Sequence, residues 1–189
     1  MNRSLIPSVS RVRLVIRSLG GRATTAWLVT CCLAVAGLEA QESPDLPAPL
    51  APVVSELKAN TKVPILLPSQ LPALAQEKVY AHAKADADSY TIRLESDPDC
   101  DGANACFLGI LRAKRGGRFS FPQVVKLNEN TPARFRPTTC GGSCSDQAIE
   151  WKYQGILYTS QLNLKTDIEK EACKEMIELA RSAMHYGPR

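Results

Sequence analysis

A cysteine-closed loop that runs straight into a hairpin is the strongest constraint in this sequence. Cys140-Gly-Gly-Ser-Cys144 is followed by Ile149-Glu-Trp-Lys-Tyr153, Gln154-Gly155 and Ile156-Leu-Tyr158. Ile149, Trp151 and Tyr153 alternate with Glu150 and Lys152, the period of a strand with one buried face. Gln154-Gly155 supplies a two-residue turn, with a glycine suited to the positive φ that such turns need. In that register Trp151 faces Tyr158 and Tyr153 faces Ile156, so the large rings share one side of a sheet. Such a surface needs a cover, and the C-terminal segment offers one. Ile168, Ala172, Cys173, Met176, Ile177, Ala180 and Met184 form an apolar stripe opposite Lys170, Glu171, Lys174, Glu178 and Arg181. Thr166 and Glu169 fit a capping box, Asp167 and Glu169 suit the positive helix start, and Gly187-Pro188 is the stop. The expected fold class is α+β, an antiparallel sheet with a C-terminal amphipathic helix packed on one face.

The remaining strands read upstream of the hairpin. Tyr80–Ala83 and Ser89–Leu94 are separated by a turn around Ala85-Asp-Ala-Asp88; Phe107–Lys114, Gln123–Leu127 and Ala133–Arg136 follow. Residues 63–72 are apolar but broken by Pro64, Pro68 and Pro72, which suits a sheet edge where missing N–H donors cost little. Residues 41–62, with Pro44, Pro47, Pro49 and Pro52 among alanines, read as an extended linker. One α+β domain over 63–189 completes the expected organisation.

Residues 1–40 read as a secretory signal peptide. Five arginines and no acid precede a thirteen-residue, nearly unbroken apolar run, Ala26–Leu38, and a small residue, Ala40, at the exit. The run is short of the ~20 residues of a membrane helix, so a membrane enters only if the leader stays uncleaved. Either way the rest of the chain is expected in the periplasm or secreted. The leader's five arginines and one glutamate account for the whole net charge of +4, leaving 18 basic and 18 acidic residues in 41–189. The basic excess is therefore a targeting device, and nucleic acid is not an expected partner.

In an oxidising compartment Cys100, Cys106, Cys140, Cys144 and Cys173 read first as disulfide material. Sequence alone does not choose among the possible pairings, but locality favours Cys100–Cys106 and Cys140–Cys144, with Cys173 a small hydrophobe on the helix. Spacings of five and three residues do not suit zinc knuckles or a Cys-x-x-Cys redox pair. His82 and His185 have no spacing that ties them to a cysteine, and Ser143 and Ser145 lack the context of a nucleophile elbow. No catalytic or cofactor-binding residue emerges. Asp97, Asp99 and Asp101, followed by Gly102, match the opening of a calcium loop, but position 12 is Leu108; calcium is a weak alternative to a solvated acidic turn. Ser143, Ser145 and Asp146 make the Cys140–Cys144 loop a possible binding loop.

The paired cysteines, Ile149-Glu-Trp151 and Gly155-Ile-Leu-Tyr158 together resemble small exported bacterial proteins, chiefly cyanobacterial, with no assigned activity. The Trp151…Gly155…Tyr158 hairpin with its terminal helix also resembles, more loosely, a domain of unknown function attached to some bacterial anti-sigma factors. The resemblance implies fold and compartment and transfers no catalytic residue. Two functions are thus in play. One is a non-catalytic, disulfide-stabilised module that binds an envelope protein or a small ligand. The other is a hydrolase or redox enzyme, which would require a pocket gathering His82 or His185 with a carboxylate and a hydroxyl or thiol.

Overall fold

The computed structural model describes residues 46–100 and 102–189, so the leader and Asp101 lie outside the described residues. The described elements in chain order are a 3₁₀ turn (Ala51–Val53), α1 (Val54–Asn60), β1 (Tyr80–Asp86), β2 (Ser89–Glu95), β3 (Phe107–Arg115), β4 (Gln123–Lys126), β5 (Pro132–Arg136), β6 (Thr139–Cys140), β7 (Cys144–Ser145), β8 (Ala148–Tyr153), β9 (Ile156–Leu162) and α2 (Glu169–His185). Seven strands form one antiparallel sheet in the order β1-β2-β3-β9-β8-β5-β4, and β6 pairs with β7 apart from it. The fold is α+β, as expected. Among the described residues no helix is long and apolar enough to cross a membrane.

The hairpin forms in the expected register, Trp151 opposite Tyr158 and Tyr153 opposite Ile156. Gln154 (φ 50°) and Gly155 (φ 76°) both take the left-handed conformation of a two-residue hairpin turn. Trp151 and Tyr158 stack with ring centroids 5.6 Å apart. Opposite pairing extends this row across the sheet through Tyr90, Ala113, Tyr158, Trp151 and Ala133, all buried.

Two segments cover that face. The stripe of α2 lies on it, with Ala172, Met176, Leu179, Ala180 and Ala183 buried. Its composition differs from expectation: Ile168 is 57% exposed, Cys173, Ile177 and Met184 are only half-buried, and Leu179 and Ala183 join the buried stripe. The capping box is also corrected. Ile168 is the N-cap without a side-chain cap bond, while Thr166 Oγ1 accepts from Ile168 N (3.2 Å) and donates to Glu171 Oε2 (2.9 Å). The helix thus starts two residues later than the capping box requires, and the Thr166 hydroxyl serves the N-cap amide of Ile168 instead of the helix donors.

The second cover overturns the extended spacer. Residues 46–60 form a turn and a helix that bury Leu50, Val53 and Leu57, so over this stretch the 41–62 linker is part of the domain. Pro52 sits in the first turn, where a missing N–H costs nothing, and the small side chains of Ala81, Ala83 and Ala85 on β1 let the helix approach. Residues 63–67 then cross the sheet face instead of lining its edge, with Val63, Ile65, Leu66 and Leu67 buried. Their carbonyls, freed from any ladder, are satisfied by the sheet's phenols. Tyr158 Oη donates to Pro64 O (2.8 Å) and Tyr90 Oη to Leu66 O (3.2 Å). Burial pushes both phenols above the usual tyrosine range, so they stay protonated donors.

Both locally expected disulfides are formed, Cys100–Cys106 (Sγ–Sγ 1.96 Å) and Cys140–Cys144 (2.08 Å).

Candidate functional site

Strand order decides which part of the other sheet face is free. β3 ends at Arg115, yet β4 lies at the opposite edge, beyond β9, β8 and β5. Residues 116–122 make the crossing over the open face and are held there by Glu150. This carboxylate, 4% exposed, accepts from Ser120 N (2.8 Å), Ser120 Oγ (2.8 Å) and Phe121 N (3.2 Å). Arg134 and Lys152 lie over the Phe119 ring and Arg136 over Phe121. Gly117 is so close to Leu157 that a Cβ would stand 2.7 Å from it. Among the described residues the strap leaves only the β1–β2–β3 half of this face open.

Beside that half stands the loop closed by Cys100–Cys106. Between loop and sheet lies a cleft of about 610 Å³, into which His82, Lys84, Thr91, Arg93, Glu95 and Asp99 converge over the apolar floor of Ile110. Glu95, 2% exposed, organises one end. Its Oε1 takes Arg93 Nε at 2.5 Å and its Oε2 lies 3.4 Å from His82 Nε2. A buried carboxylate is tolerated only when paired, and Arg93 is the pairing group. The same guanidinium donates to Gly102 O (2.9 Å) and Ala103 O (3.2 Å) and lies over the Phe107 ring, so it also ties the loop to the sheet. Arg93 is therefore structural, whereas exposed Lys84 and half-buried Thr91 line the cleft without a side-chain hydrogen bond or ion pair among the described residues.

The sequence-derived candidates fall as follows. Asp97 Oδ1 accepts from Asp99 N (2.9 Å), which makes this an Asx turn at the cleft's rim. Asp101 lies outside the described residues, and among those described no group of three or more His, Cys, Asp or Glu is placed to hold a metal. Ser143 is exposed on the β6–β7 turn, where its carbonyl accepts from Gly141 N (3.0 Å). Ser145 and Asp146 are half-buried, and Asp146 O accepts from Arg136 Nη2 (3.0 Å). These three do not converge on the cleft. His185 stacks edge-on against Tyr186 beside a hollow lined by Arg181 and Ser182 but by no carboxylate. Burial, with Glu169 nearby, pushes the Cys173 thiol up and away from thiolate chemistry.

Asp146 makes a pH prediction possible. Burial raises its carboxyl above the usual range, outweighing its own backbone hydrogen bond and Arg136. A raised folded-state value favours the native state while the group is protonated, and that contribution is lost as pH rises through the folded value. Asp146→Asn is therefore expected to be at least as stable as the native chain at neutral pH. Its advantage should shrink as pH falls through the carboxylate range, read from urea midpoints of both chains across pH; an advantage over the native chain that is larger in acid than at neutral pH would reverse the sign.

Sequence spacing leaves His82 isolated, because the expected strand stops at Ala83, short of the turn that sets its register. The strand continues to Asp86, closing on a two-residue turn where Asp86 accepts from Asp88 N (2.9 Å) and Ser89 Oγ (2.8 Å). That turn places His82 opposite Arg93 and diagonal to Glu95. Comparison with protein-family models, with curated proteins and with solved structures finds no significant match.

Proposed function

We propose that this chain is an exported, disulfide-stabilised binding module that takes an envelope component or small polar ligand in the cleft between β1–β3 and the Cys100–Cys106 loop. One observation carries the reading: the strap and the 46–68 segment with α2 cover the rest of the sheet, and the part left open is a polar concavity on a rigid floor. The leader motif and the two disulfides support an oxidising compartment, as does the resemblance to exported bacterial proteins. The loop beside the cleft is held by a bridge and by Arg93, so little ordering is needed on binding.

The test is a backbone-amide NMR titration with a panel of carboxylates, amino acids and oligosaccharides. Shifts should cluster on 82–95 and 98–103. Shifts confined to 139–146 would transfer the site to the other disulfide loop, and none at millimolar ligand would end the cleft reading.

A second reading has its own observation. His82 beside the buried Glu95, in a cleft that also holds the Thr91 hydroxyl, brings together the three group types a hydrolase would use. No hydrogen bond joins Thr91 to His82 among the described residues, and Thr91 lies beyond the His82–Arg93 pair on the side away from Glu95. Binding without turnover is accordingly preferred. Turnover of generic ester or glycoside substrates that disappears in His82→Ala would overturn that preference.

A further inference from the structure

We infer that the strap side of the sheet is a docking surface for an anionic lipid bilayer, independently of what the cleft binds. The neutral total of 41–189, which left no membrane contact expected beyond the leader, conceals a segregation. Residues 102–153 carry eight basic and three acidic side chains, against ten and fifteen in the remainder of 41–189. Neighbouring acids offset this only in part. Asp88 pairs with Arg115 (3.0 Å), and Asp86 lies close to Lys114. Six cations remain, Arg112, Arg118, Lys126, Arg134, Arg136 and Lys152, against Glu129, Asp146 and Glu150. Glu150 keeps its charge beneath the strap and is counted, so six against three leaves a surplus of three.

Register gathers these cations on one side. Opposite pairing aligns Arg112, Thr159, Glu150, Arg134 and Val124 across the sheet. Lys126 and Lys152 lie two residues from Val124 and Glu150 on their strands, and so share that face. The strap lies over it as well. The Phe119 ring centroid is 5.9 Å from the Arg134 guanidinium and 5.4 Å from Lys152 Nζ, and Phe121 lies 4.9 Å from Arg136. Arg118, Lys126 and Lys152 are exposed and form no ion pair among the described residues.

The apolar groups among the cations select a bilayer. Val124 is 62% exposed, more than any other large hydrophobic residue described. It stands opposite Arg134 on the strand into which the strap runs, following half-buried Phe121 and exposed Pro122. At a membrane interface, lipid phosphates take the charge and the headgroup–acyl boundary takes aliphatic and aromatic side chains. A polysaccharide offers Val124 no comparable burial. Single-stranded nucleic acid stacks its bases on open ring faces, whereas Phe119 and Phe121 carry Arg134, Lys152 and Arg136 on theirs.

Residues 41–189 form a compact unit of their own, so they can be tested without the leader's arginines. The test is sedimentation with vesicles of phosphatidylcholine alone or equimolar with phosphatidylglycerol. Binding is expected to the mixed vesicles and should weaken as salt is raised. Arg118→Gln, Lys126→Gln and Lys152→Gln together should weaken it about tenfold or more. All three positions are exposed, so circular dichroism and Tm should be unchanged, which separates lost binding from lost folding. Val124→Trp adds an independent reading. Trp151, the native tryptophan of 41–189, is buried, so a blue shift on mixed vesicles reports insertion of the new indole. Absence of sedimentation with mixed vesicles would overturn the inference, as would equal binding to phosphatidylcholine alone that the triple variant leaves unchanged. An unshifted indole on bound vesicles would overturn the apolar contact that singles out a bilayer. Dextran sulfate or poly(dT) bound where mixed vesicles are not would assign the surface to a soluble polyanion instead.

Discussion

Trp151→Ala should lower stability by about 3–5 kcal/mol, the range for truncating a large buried aromatic. Trp151 is 3% exposed, stacks on Tyr158 and lies under Leu179 and Ala183 of α2. Its loss removes more than its own area. Tyr158 is the ring whose hydroxyl holds Pro64 O, so a gap beside it loosens the clamp between the sheet and the 63–67 segment. Urea denaturation followed by circular dichroism measures the effect. A loss within about 0.5 kcal/mol would class Trp151 as a surface residue and detach α2 from the hairpin's aromatic face.

Leu57→Ala is expected to cost about 2–5 kcal/mol, as a fully buried leucine truncation does. Leu57 is 0% exposed at the centre of α1, and Leu50 and Val53 enter the same core. The prediction discriminates sharply because a solvated spacer would tolerate the change with no more than about 0.5 kcal/mol. Limited proteolysis gives an independent reading: 46–60 should resist cleavage in the native chain and become sensitive in the variant. Rapid cutting of the native chain within α1 would return this stretch to a linker.

Legibility in the sequence followed the range of the interaction involved. The β8–β9 register was readable because Gln154-Gly155 admits few turn types and period-2 alternation flips wholesale if slipped. The two disulfides were readable because each closes a short loop containing glycine or small residues. The strand at 80–86 was cut short because Ala and Asp are poor strand formers; pairing along the whole of β2 overrode that preference. The prolines of 47–52 read as a spacer because composition reports backbone freedom locally. It carries no trace of the Ala81–Ala83–Ala85 shelf that receives Leu57.

The candidate cleft was not legible at all. His82, Lys84, Thr91, Arg93 and Glu95 were in view as two alternating strands, yet their chemistry depends on which face stays uncovered. That follows from strand order. Inserting β8–β9 between β3 and β5 forces residues 116–122 across the open face, where Glu150 anchors them, and so confines the free surface to β1–β3. The sequence by itself determined the local matters: strand period, the hairpin turn, the α2 stripe and the short-loop cysteine pairs. Tertiary structure alone decided that a proline-rich stretch is core, that Glu95 and Glu150 are buried acids with assigned partners, and that Val124, Arg134 and Lys152 share one face with the strap. The reason is physical. Turns and periodicity are set by neighbours a few residues apart, whereas burial and charge pairing are set by groups that only the sheet's topology brings together.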